Sequence, residues 1–220
     1  MRYAVRRCAV RPSLRAGWDS ADWQPAETLE ISHYRPEGSG HRPRTFCRLL
    51  YDRDGISGIF LVHDRFVRCA HTEPQSAVYE DSCVEFFLQP SEKGYFNFEF
   101  SCSGALRLGY VRDPERVGTG FRDFFLLPAE DLCLVRVGAS IGRPAGEEAG
   151  RRIDWTLSFF IPFSIIESHS GVQPPEPGER WKANFFKCGD ATSHPHWGSW
   201  TALDERNFHL PRCFGELEFR

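Results

Sequence analysis

Cys83-Val84-Glu85-Phe86-Phe87-Leu88-Gln89, followed after Pro90-Ser91-Glu92-Lys93-Gly94 by Tyr95-Phe96-Asn97-Phe98-Glu99-Phe100-Ser101, is the stretch that decides the fold class. Side chains of a strand alternate between its two faces. Alternation puts Val84, Phe86 and Leu88 on one face and Cys83, Glu85, Phe87 and Gln89 on the other. In the second run Phe96, Phe98 and Phe100 share a face, and Tyr95, Asn97 and Glu99 share the opposite one. The segment between them is rich in turn formers, so the two runs read as a hairpin. One face is apolar and packs on a core. The other carries Glu85, Asn97 and Glu99 beside aromatic rings. It reads either as a solvated sheet face or as the polar and aromatic floor of a ligand groove.

Similar short runs recur outward from this hairpin, at 46–51, 58–63, 132–138, 153–160, 182–187 and 214–219. Val, Phe, Tyr and Trp concentrate in them, as strands prefer. Helical periodicity is nearly absent; one short turn, Phe163 to Glu167 after Pro162, is the best case. The pattern predicts an all-β fold, an antiparallel β-sandwich with one short helix. Loops are expected at 35–44, 142–150 and 171–180. No segment has the composition of an interdomain linker, so residues 1–220 read as one domain.

The chain has 220 residues, of which 41% are apolar and 26% charged. At that length one core can be buried without metal or disulfide staples. The eight cysteines include no C-x-x-C pair, so the zinc-ribbon and thioredoxin readings fail; buried free thiols are expected, with one or two long-range disulfides as the alternative. The net charge of −3 offers no global attraction to nucleic acid or to an anionic membrane. Of 27 basic residues only Lys93, Lys182 and Lys187 are lysines; the arginines suit bidentate recognition of oxygen-rich groups. No apolar run nears the ~18 residues of a membrane span. The start, Met1-Arg2-Tyr3-Ala4-Val5-Arg6-Arg7-Cys8, lacks the apolar core of about 7–15 residues of a signal peptide, which predicts a cytoplasmic protein.

Chemistry concentrates in residues 181–200. Trp181, Lys182, Asn184, Lys187, Asp190, His194, His196, Trp197 and Trp200 fall within twenty positions, half of them in loop-like sequence. Exposed aromatic planes stack on the C–H faces of sugar rings, and Asn, Asp, Lys and Glu bond their hydroxyls. The same tryptophans also suit core packing. His194-Pro195-His196 has chelating H-x-H spacing, with His209 as a conceivable third ligand. Glu80, Asp81 and Glu85 supply three carboxylates in six residues, short of the paired geometry of a glycosidase. Asp64, Asp81 or Glu80 could coordinate calcium, without an EF-hand pattern. Phosphate-loop, dinucleotide and nucleophile-elbow motifs are absent. With Met1 the sole methionine, haem held through Met and His is excluded.

These motifs resemble the family-9 carbohydrate-binding modules, within the DOMON-like β-sandwich superfamily, and specifically its stand-alone bacterial members. The residues that carry the resemblance are Leu49-Leu50-Tyr51-Asp52, Val62-His63-Asp64, Val78 to Leu88, Tyr95 to Phe100, Ile161-Pro162, Trp181 to Asp190, His194 to Trp197, and Phe208 to Leu217. The resemblance implies a jelly-roll-like sandwich that binds a mono- or oligosaccharide, does no chemistry, and accompanies glycoside hydrolysis in carbohydrate catabolism. It implies a terminal sugar gripped between two aromatic side chains. Tyr79 stands where tryptophan is usual, and Trp197 or Trp200 is the second. Glu80, Asn184, Lys187, Asp190 and His196 would then bond the hydroxyls. The expected state is a monomer or weak dimer without cofactor, apart from structural calcium. The alternative is a glycoside-active or metal-dependent enzyme using Glu80 and Glu85 with His194 and His196. A third reading is an interaction protein with an aromatic docking face.

Overall fold

A computed structural model describes residues 1–118, 120–142 and 148–220. The central part of the expected 142–150 loop lies outside the described residues. Among the described residues, fourteen strands form two layers. The first runs β10 (Arg136–Ala139), β11 (Ile153–Pro162), β5 (Gly55–Asp64), β4 (Arg44–Tyr51), with β2 (Leu29–Ile31) also on β4. The second runs β14 (Gly215–Phe219), β12 (Arg180–Cys188), β6 (Cys83–Ser91), β7 (Gly94–Ser101), β8 (Leu106–Val117), β9 (Gly120–Leu126). The short β13 (Trp197–Ser199) pairs with β12 and with β3 (His33–Tyr34). β1 (Arg2–Arg7) joins the layers. Its first residues run parallel to β14 and its last two parallel to β4. All other strand pairs are antiparallel. This is the expected all-β sandwich.

The alternation read at 83–101 sets the interior. Val84, Phe86, Leu88, Phe96, Phe98 and Phe100 all belong to a main cluster of buried apolar side chains that extends from Tyr3 to Phe219. The layers meet ring to ring: Phe159 of β11 lies 5.8 Å from Phe86 and 5.3 Å from Phe100, and Phe60 of β5 lies 6.3 Å from Phe185. Each fully buried phenylalanine contributes on the order of 1.5–3 kcal/mol.

The outer face of β6, β7 and β12 is not the solvated surface that alternation alone allows. Phe87, Tyr95 and Phe186 form a second cluster there, with Leu203, Phe208, Leu210 and Phe214 from the late chain and Phe121 and Phe124 from β9. Phe208 stacks on Phe186 at 4.1 Å. The segment after β13 and the β8–β9 ribbon thus wall in the polar residues of the hairpin.

Three local features differ from the sequence expectation. Residues 132–138 are not one strand: Ala129–Leu134 is a helix, α1, and β10 starts at Arg136. Pro128 precedes it, and Glu130 and Asp131 in the first turn suit the positive end of a helix dipole. The 163–167 turn extends into a second helix, α2 (Phe163–Ser170), closed by Gly171 at φ 73°. β1, β8 and β9 are additional strands. β8 and β9 are rich in Arg and Asp, and bulges between Val111 and Arg116 accommodate Pro114.

Candidate functional site

The floor of the site follows from strand register. Glu85 of β6 sits opposite Glu99 of β7, and Glu99 opposite Arg107 of β8, so one row crosses three strands. Asn97, two residues from Glu99 on the same face, donates from Nδ2 to Glu99 Oε1 at 2.7 Å. Arg107 Nε lies 3.9 Å from Glu99 Oε2, and its guanidinium is held by the Gln75 carbonyl at 2.8 Å. On the other flank Cys188 Sγ donates to Glu85 Oε1 at 3.2 Å. Glu85 and Glu99 are only 3% and 5% exposed.

Burial governs their protonation. Desolvation pushes the Glu85 carboxyl well above the ordinary carboxylate range, and the facing Glu99 adds to the rise. Desolvation also raises Glu99, to about 7, against the opposing pull of Arg107. Burial thus favours the protonated form of Glu85, which can donate as well as accept. Asp190 is raised by desolvation too, partly offset by its bond from Trp197.

The rim is built by a backbone clamp. Val78–Glu80 forms a 3-10 turn, followed by Asp81. The buried Asp81 carboxylate accepts from Ala70 N–H at 2.8 Å, from His71 N–H at 2.7 Å and from Arg68. Asp190 N–H donates to the Tyr79 carbonyl and Ala191 N–H to the Glu80 carbonyl, both at 3.0 Å. Two consecutive bonds therefore tie the late loop to the early turn. Tyr79, 37% exposed, and Trp197 thereby reach one cavity. The Trp197 indole N–H donates to Asp190 Oδ1 at 2.7 Å, and Arg206 lies 4.8 Å from its ring.

The cavity measures about 510 Å³; its polar lining includes Glu85, Asn97, Glu99, Cys188 and Asp190, with Arg107, Arg116, Arg206 and Asn207 around them. Tyr79, Trp197, Phe121, Phe124 and Phe208 supply aromatic surface. His209 closes one side. Burial lowers its pKa to about 3, so the ring is neutral, and its Nδ1 shares a 2.7 Å hydrogen bond with the Tyr95 hydroxyl.

Of the residues singled out in the sequence, Tyr79, Asp190 and Trp197 line this cavity. Trp200 does not: it is 5% exposed and packs edge-on against Phe185 at 5.6 Å in the main core. Asn184 is buried and accepts from the Thr201 and Phe185 backbone N–H groups. Lys187 faces the sandwich interior, 2.9 Å from His196 Nε2 and 3.4 Å from Asp64 Oδ2. His196 is buried and bonds the His194 carbonyl through Nδ1 at 2.9 Å. Both its ring nitrogens are engaged, which removes it from the H-x-H chelate. His194 stacks on Phe66 at 3.6 Å, and His209 is committed to Tyr95 in the cavity. Glu80 pairs with His71 at 2.9 Å and does not line the cavity beside Glu85.

Alternation had put Glu85, Asn97 and Glu99 on one face, read either as solvated or as the floor of a groove, and the structure makes it the floor. Arg107, Phe121, Phe124 and Arg206 were missed, because β8 and β9 lack clean alternation and the loop after β13 carries no motif for a wall.

Asp64, Asp81 and Glu80 are each bonded elsewhere, to His41, Arg68 and His71 respectively. Among the described residues, Cys83, Glu85 and Cys188 have ligand atoms all within 4.8 Å of one another. Two thiols and a carboxyl suit a soft ion such as zinc better than calcium. Burial opposes ionisation of all three, pushing Cys83 up to about 12.

The comparisons with known proteins converge on one fold. A candidate carbohydrate-binding protein from Bacteroides uniformis is 28% identical, with a TM-score of 0.86 over 100% of this chain and 99% of that one. Two structures of a family-9 carbohydrate-binding module from Caldicellulosiruptor kristjanssonii share the fold. The complex with cellotriose has TM-score 0.66 at 13% identity, covering 100% of this chain and 94% of that one. The complex with glucose has TM-score 0.67 at 12% identity, covering 100% and 96%. Among curated proteins none matches. The model of carbohydrate-binding family 9 matches residues 19–219, a span that holds both layers, the clamp at Tyr79 and the whole cavity, and the chain therefore belongs to that family.

Proposed function

We propose that the protein binds carbohydrate non-covalently in the aromatic cavity, with a sugar ring against Tyr79 and Trp197. The observation that carries this reading is a pair of buried acceptors on the floor. Among the described residues, Asn97 Oδ1 and Glu99 Oε2 have no hydrogen-bond partner, the latter having only Arg107 Nε at 3.9 Å. An unsatisfied buried acceptor costs about 1–3 kcal/mol, and a sugar hydroxyl supplies the missing donor. The Glu85 and Asp190 carboxyls offer further polar contacts. Asn184, Lys187, His196 and Trp200 drop out of the contact set because they are buried elsewhere, and Glu80 because it is paired with His71.

Stacking plus a few hydroxyl contacts predicts an affinity on the order of micromolar to millimolar. Glucose and cellotriose, the ligands of the Caldicellulosiruptor module, are the first to titrate by calorimetry. Trp197→Ala and Tyr79→Ala are each expected to weaken binding about tenfold or more, whereas Glu80→Ala leaves it unchanged. Wild-type affinity in both aromatic variants, or no sugar bound by the wild type on a glycan array, would refute the reading.

A further inference from the structure

The other layer carries a second cleft, of about 700 Å³, bordered by His41, Arg42, Arg44, Arg65, Arg151 and Arg152. It shares no lining residue with the aromatic cavity. The topology gathers these side chains. β4, β5 and β11 lie side by side and antiparallel, with Arg44 opposite His63 and Asp64 opposite Ile153. The start of β4, the end of β5 and the start of β11 therefore meet at one rim, and each is flanked by arginine.

Five arginines line the cleft, against the single carboxylate Asp64, in a chain whose net charge is −3. The nearby carboxylates are already engaged. Asp64 is buried, bonded to His41 Nε2 at 2.8 Å and close to Lys187. Asp154 pairs with His63 at 3.0 Å and with Arg152 at 3.4 Å. Arg65 bonds the Gly150 carbonyl at 3.0 Å. Arg42 and Arg44 lie over the rings of Tyr34 and Phe46, at 5.6 and 5.3 Å. Arg42, Arg44 and Arg151 have no ion-pair partner among the described residues. Gathered cations repel one another, and their planar forks match the oxygens of an anion two at a time.

We infer that this cleft is a second ligand site, one that takes an oxyanionic group (sulfate, phosphate or carboxylate) on a small molecule. The inference is independent of sugar binding in the aromatic cavity.

The test titrates the full chain with inorganic sulfate, inorganic phosphate and glucuronate in low-salt chloride buffer. Binding is read by calorimetry and by amide chemical shifts. Saturable shifts are expected around Arg44, Arg65 and Arg152, fading as salt screens the site. The anion that binds tightest identifies the group recognised. Arg44→Ala with Arg151→Ala, both at exposed side chains, should weaken it about tenfold or more and leave glucose binding and melting temperature unchanged. Absence of saturable binding for all three anions overturns the inference. So do shifts located elsewhere, or a double variant that binds as the wild type does; the wild-type shift map decides even if the variant is unstable.

Discussion

At the scale of single residues, the buried floor carboxyls carry a stability cost. Glu99 ionises at its ordinary 4.5 when unfolded and near 7 in the fold, because burial disfavours its charged form. Below pH 4.5 both states hold the proton and the difference vanishes. Between 4.5 and 7 the unfolded chain gives up the proton while the fold retains it, so stability falls as pH rises and levels off above 7. The cost is on the order of a few kcal/mol. Glu99→Gln should therefore melt higher than the wild type at pH 8 and level with it at pH 4.5. An equal gap at both pH values would show that Glu99 is not titrating in this window. Trp197 and Trp200 show how far composition alone reaches. Both lie in the same aromatic, loop-like segment, and only β13 decides between them: its pairing with β12 leaves Trp197 at the cavity and Trp200 against Phe185.

At the scale of elements, the hairpin 83–101 was legible because its alternation is clean and one face is entirely apolar. The 129–139 segment was not. A run of four or five apolar residues suits a strand or a buried helical turn equally, and the dipole-compatible acids of the first turn tipped it to helix. β1 was hidden for a different reason. Its role as the parallel seam between layers depends on partners more than forty positions away, at Leu50 and at Glu216–Phe219. Close strand packing also makes a prediction. A Cβ at Gly55 would overlap the Ile161 carbonyl oxygen and press into the Phe160 ring, whereas Gly40 has open space. Gly55→Ala is expected to cost about 1–3 kcal/mol in denaturant melts, and Gly40→Ala less than about 0.5. Equal effects would mean that the β5–β11 pair is looser than described.

At the scale of the molecule, no disulfide joins the eight cysteines, of which four are buried and Cys133 is exposed. A reductant should leave the melting temperature unchanged. A thiol reagent should label Cys133 in the native protein and all eight only in denaturant. A drop of several degrees on reduction would reveal a bridge. The same whole-molecule view separates two surfaces, an aromatic cavity that mixes buried carboxyls with Arg107, Arg116 and Arg206 on one layer and an arginine-lined cleft on the other. Net charge alone averages the second out of sight.

The sequence by itself determined the fold class, the inward face of the 83–101 hairpin, and the candidacy of Asp190 and Trp197, while Tyr79 came from the family resemblance. Period-two patterning and turn chemistry are local, so they can be read without knowing where the chain goes. The tertiary structure alone decided that Glu85, Asn97 and Glu99 are walled in by β9 and the late chain. It alone tied Tyr79 to Asp190 and buried Trp200, Asn184, Lys187 and His196. It also gathered arginines from three strand ends into one cleft. Each of these depends on contacts between segments far apart in the chain, and burial, protonation and charge density are properties of that proximity.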